Sequence, residues 1–200
     1  EMQRSLVGSE MCIRDRDDGK WGYKVMRDGG YSYNSHPCKP VYLSQTNAGA
    51  CFLCRKDDFL KIHFEDELWM DQSAYALGDD QVMYYKMYLS GMRLLTSYDS
   101  EVIHLDAGNN LTEQKEKMLL YADLRFKILF WYRFVYSLES VCLMKFWDVI
   151  CLCYLLSFAL LISVLKGRMD ILKVKWQAIK DARKAIRSGE VVAFSHRTSR

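Results

Sequence analysis

Residues 76–95 read ALGDDQVMYYKMYLSGMRLL, which places two adjacent acids, Asp79 and Asp80, behind a glycine and ahead of an apolar run that closes at Gly91. The pattern predicts a helix over residues 79–90. Acids in a first turn meet the positive end of the helix, and a glycine is a natural stop. Two readings of the pair stay open. As structure, the acids only steady the helix start. As chemistry, a carboxylate held there stays ionised and can accept a proton.

Working outward, residues 17–40 are loop-like, punctuated by glycine, asparagine, aspartate and proline. A strand is expected over residues 50–54 (ACFLC), then a short helix over 57–62 and an acidic-aromatic loop, HFEDELWMDQSAYAL. Strands are expected again over 93–96 and 101–105. Strands alternating with helices point to an α/β sheet. From Asn110, which with Glu113 can open a helix, the chain reads as helix almost to Gly189.

Half of the 200 residues are apolar, which supports a real core and argues against a disordered chain. A formal charge of +3 is too small to argue for a nucleic-acid partner, and none is expected. Seven cysteines, an odd count without scaffold spacing, fit a reducing compartment. No signal peptide is readable. Residues 1–16, EMQRSLVGSEMCIRDR, resemble the translation of a sequencing-library adaptor. They are expected to be an artefact, with the true chain cut off upstream of Asp17.

Residues 146–165, FWDVICLCYLLSFALLISVL, hold twelve Leu, Ile, Val or Phe, and only Asp148, Ser157 and Ser163 are not apolar. Those twelve favour insertion by roughly 5 kcal/mol, against at most about 3 kcal/mol for Asp148, so a transmembrane or re-entrant helix is expected. The competing reading is a buried core helix. Residues 111–145 carry an aromatic run interrupted by Arg133 and Glu139 and read as amphipathic or interfacial. Residues 166–200 read as a basic amphipathic helix and tail, with Leu172, Trp176, Ile179, Ala182 and Ile186 as the apolar stripe. Such a helix suits an anionic membrane surface, or else its stripe packs on the globular part.

The order Asp79-Asp80, Lys86 seven positions after the first acid, Gly91 and then a strand leading to His104 resembles the C-terminal half of the family 2 glycosyltransferases. GACFLCRKDDF (49–59) and HFEDELW (63–69) resemble that family's preceding segments. The resemblance covers about residues 17–108. It implies an α/β fold, a partial GT-A (Rossmann-like) domain over 17–110, followed by membrane-associated helices. The implied reaction is inverting transfer of a sugar from a nucleotide-sugar donor to a hydroxyl on a glycan or lipid-linked acceptor. Asp80 maps onto the base, with Asp79 beside it. Lys86, Glu67 and Trp69 map onto donor and acceptor support. His104 maps onto a ligand of a divalent metal, Mg or Mn, that neutralises the departing diphosphate.

The family's D-x-D nucleotide motif is not matched by Asp15–Asp17, whose Asp15 and Arg16 belong to the adaptor-like segment, so an inactive fragment of an active parent is expected. The resemblance also implies bacterial surface-polysaccharide synthesis at the cytoplasmic face of the inner membrane. Two other classes compete. One is a non-catalytic membrane-anchored binding module, with the acids as caps. The other is a thiol or zinc module built on Cys51-x-x-Cys54 with Cys38.

Overall fold

The computed structural model describes residues 20–47, 51–71, 77–99 and 112–195. The fold is mixed α and β, mostly helical, with two small antiparallel sheets and one long apolar helix. It divides into two compact units: residues up to 26, 31–66 and 79–109 form the first, and 27–30, 67–78 and 110–200 the second.

The first unit holds strands β1 (Tyr23–Val25) and β2 (Tyr31–Tyr33), paired antiparallel with Tyr23 opposite Tyr33. It also holds β3 (Val41–Ser44), paired antiparallel with β4 (Leu94–Ser97). The first three strands lie where the sequence reads as a loop or gives no element. Their side chains alternate, as in Tyr-x-Val and Tyr-x-Tyr, which is the period a half-buried strand requires. Conversely, residues 51–54 form no strand, and Leu53 is fully exposed. β4 finds its hydrogen-bonding neighbour in β3, where Ser44 and Thr96 also join hydroxyls at 2.7 Å.

Helix α1 spans Lys56–Leu60 and α2 spans Asp79–Leu89, close to the expected bounds. α2 ends as predicted before Gly91, whose φ of +83° is a conformation that glycine adopts without strain. Ile62, Met83, Tyr84 and Met87 form the apolar core here, with Phe59, Phe64, Met92 and Leu94 packed around them. Residues 101–111, including the expected strand 101–105 and Asn110, lie outside the described residues.

The second unit is built on α3 (Glu113–Phe130), which continues as a π-helical turn over Trp131–Tyr136, then α4 (Cys142–Leu165) and α5 (Met169–Ser188). The α3 cap is Thr112, whose hydroxyl accepts from the Lys115 N–H. The continuous helix expected to Gly189 is therefore broken twice, after Tyr136 and at residues 166–168. Leu129, Phe130 and Phe134 are fully buried within this unit, while Tyr132 and Tyr136 of the same aromatic run are half-buried. Gly78, at φ +84°, lies against the Phe126 ring so closely that a Cβ would meet ring carbons 2.1 Å away.

α5 packs on both α3 and α4, and its buried face is Ile171, Lys175, Ala178, Ile179, Ala182 and Ala185. The stripe is thus rotated from the expected one: Trp176 is exposed and Ile186 only partly covered. Close helix approach favours alanine over tryptophan at the contact. Gly189 closes the helix at φ +76°, as expected.

α4 is long and apolar enough to cross a membrane: about 36 Å at 1.5 Å per residue, against a hydrocarbon core of about 30 Å. Only 22% of its most apolar window is buried. Its polarity is also inside-out. Asp148, Leu152, Ala159 and Ser163 face the protein, whereas Leu143, Phe146, Trp147, Ile150, Tyr154, Leu161, Val164 and Leu165 face outward. The outward side of α4 is thus a broad apolar surface.

Candidate functional site

The acidic pair opens α2 as the sequence predicts. Asp79 is exposed and Asp80 half-buried. One turn on, Tyr84 turns into the core at 5% exposure, and the ring of Phe52 meets it edge-on at 5.6 Å. The Tyr84 hydroxyl is buried and has no hydrogen-bond partner among the described residues. Burial pushes this phenol up to about 12. The charge of Asp80 adds to the effect, followed by the thiols of Cys51 and Cys54. A carboxylate and two exposed cysteines thus lie within electrostatic reach of the buried phenol. Sequence reasoning missed Tyr84. Its position four residues after Asp80, on the same helical face, is the signal that could have found it.

Lys86 lies two turns along α2 and is buried, where its ammonium donates to the His63 carbonyl at 2.8 Å. His63 itself has φ +47°, so Lys86 holds a left-handed corner of the chain. The His63 imidazole Nδ1 lies 2.9 Å from Glu65, and that contact holds the Glu65 carboxyl below its usual range. His104 lies outside the described residues.

Glu67 and Trp69 belong to the second unit and sit together in its interior. The Trp69 indole donates to Glu67 Oε2 at 2.6 Å. Arg133 closes a two-pronged pair on the same carboxylate, Nε to Oε2 at 2.7 Å and Nη2 to Oε1 at 2.8 Å. Its remaining nitrogen donates to the Val192 carbonyl at 2.8 Å, and its guanidinium lies over the rings of Phe134 and Phe194. A buried ion pair this well bonded holds a structure together. Arg133 is the partner that sequence reasoning did not supply, although an arginine inside FWYRFVY has to find an acid when buried.

A second buried acid, Asp148 of α4, meets Arg27 at 2.6 Å. Its other oxygen has no partner among the described residues. Among the described residues no group of three His, Cys, Asp or Glu side chains comes together as a metal-holding cluster. Cys38, Cys51 and Cys54 are free thiols on the surface. Comparison with family models, with curated proteins and with solved structures gave no match to this chain.

Proposed function

We propose that the chain is part of an inverting, family 2-type glycosyltransferase, the C-terminal half of a GT-A domain carried on membrane-associated helices. In this reading the hydroxyl of a glycan or lipid-linked acceptor attacks the anomeric carbon of a nucleotide-sugar. The carbon–oxygen bond to the nucleotide breaks on the opposite face, and the acceptor proton passes to Asp80. The observation that carries the reading is Asp80 itself: a half-buried carboxylate in the first turn of α2, beside a buried phenol with no hydrogen-bond partner among the described residues. The helix start keeps such a carboxylate ionised and able to accept a proton as the new bond forms. Asp79 stands exposed next to it in the same turn.

The described residues do not by themselves fit the Mg or Mn that the resemblance implies. The outward apolar face of α4 supports association with a membrane, and nucleotide-sugars place the working side in the cytoplasm.

The second reading, a non-catalytic membrane-anchored module, is favoured by the internal bonds made by Glu67, Trp69 and Lys86. The two separate on one substitution. In a parent chain that carries both halves of the domain, Asp80→Asn is expected to slow nucleotide release from the sugar donor by about 10²–10⁴-fold. Unchanged release would leave the module.

A further inference from the structure

We propose that α4 does not cross the bilayer but lies in the plane of its surface, with its outward apolar face sunk into an anionic phospholipid leaflet. This rests on the membrane placement above and is independent of sugar transfer. Three observations carry it.

First, α5 runs back alongside α4. The chain reverses at Lys166–Arg168, through Gly167 at φ +65°, and the buried Lys175 ammonium donates to the Ala159 carbonyl of α4 at 2.9 Å. Were α4 to span, its neighbour would be drawn in with it. With the reversal at one surface, Lys180 would stand about 16 Å deep, at the bilayer midplane.

Second, the side of α5 turned away from its packed face is cationic. Lys180, Arg183, Lys184 and Arg187 are exposed and, with Ser188, line an open groove of about 460 Å³. On the insertion scale one such cation at mid-bilayer cancels about six leucines or isoleucines. Lys180 alone offsets about half of the twelve large apolar residues of the α4 core stretch, and Arg183 and Lys184, within about 6 Å of it along the axis, offset the rest.

Third, Asp148 near the start of α4 draws Arg27 onto the helix at 2.6 Å, and the Arg27 side chain is 43% exposed. A solvated arginine beside that part of α4 fits headgroup depth.

Lying flat reconciles all three. The apolar face enters the leaflet while the cations stay at headgroup level, where anionic phosphates complement them. The exposed Trp147, Tyr154 and Trp176 are the side chains preferred at that depth.

The test adds the full chain to preformed sealed vesicles and reads two cysteines with a membrane-impermeant maleimide from outside. One is the native Cys142 at the start of α4, the other Lys166→Cys just past its end, each in a background with the other cysteines changed to serine. Both positions are exposed. Both are expected to label from outside within about twofold of each other. Binding should require anionic lipid, phosphatidylglycerol with phosphatidylcholine against phosphatidylcholine alone. It should weaken about a hundredfold when Lys180, Arg183, Lys184 and Arg187 are all changed to glutamine. Labelling of one end only after detergent would mean a span and overturn the proposal. So would a chain that stays in solution as a dimer closing the α4 face on a second copy, or one that binds equally to neutral vesicles.

Discussion

Glu67 and Asp80 are both carboxylates set among apolar side chains, one in each unit, and their surroundings treat them in opposite ways. Glu67 is fully buried and takes three N–H donors, two from Arg133 and one from Trp69. Asp80 stands half-buried at a helix start, beside a phenol whose hydroxyl finds no partner among the described residues. A saturated polar cluster is what a fold needs to bury charge. A polar group left short of partners has a cost that a ligand can relieve. The difference marks Glu67 as part of the architecture and leaves the buried Tyr84 hydroxyl, next to Asp80, as the polar group without a partner among the described residues.

The contrast breaks most visibly at Arg133. Arg133→Ala leaves the Glu67 charge buried without its fork and should cost about 3–5 kcal/mol. In a chain of this size that lowers the melting midpoint by about 10 °C, read by circular dichroism.

Alkali acts on both units. Burial is the first cause that raises the phenols of Tyr23, Tyr84, Tyr85 and Tyr121 to about 12. A folded value above the unfolded one near 10 means that the native chain holds its protons longer. The stability from these tyrosines is therefore complete below about pH 10 and is lost as the pH rises through about 12. Urea midpoints measured from pH 9 to 12, with phenolate absorbance, should show that decline.

Arg27→Ala removes the partner of Asp148. Because the arginine is part-exposed, the cost is discounted to about 1–2 kcal/mol. The same change should shorten hydrogen-exchange protection along α4. The smallest effect belongs to Tyr84→Phe, which removes a buried hydroxyl without a partner and should leave the urea midpoint within about 0.5 kcal/mol or slightly raised. Destabilisation by 2 kcal/mol would show that the hydroxyl is bonded, and the contrast would lose its sharpest point.

Much of this organisation was legible in the chain. α2, β4, the end of α4 at Leu165 and the Gly189 stop follow from local signals, namely acids at a helix start, glycines after its end and unbroken apolar runs. β1, β2 and β3 were hidden because each is three or four residues long and set among glycine, asparagine and proline. The α5 face was misread for a physical reason. Trp176 is the more apolar side chain, but Ala178, Ala182 and Ala185 let neighbouring helices come close, and Lys175 is buried because its ammonium reaches a carbonyl of α4. The Glu67–Arg133 pair joins residues far apart in sequence, and no local pattern announces it. Of the candidate site, the helix start that carries Asp79 and Asp80 is legible in its local pattern, while Tyr84 becomes visible only once its hydroxyl is seen to be buried.

Urea unfolding of Asp80→Asn and Glu67→Gln, measured side by side with the unchanged chain, weighs the two carboxylates directly. Asp80→Asn is expected to cost no more than about 1 kcal/mol, the worth of an acid at a helix start, while Glu67→Gln costs about 3 kcal/mol or more. Equal losses in the two variants would make Asp80 a structural residue like Glu67 and contradict its assignment to chemistry.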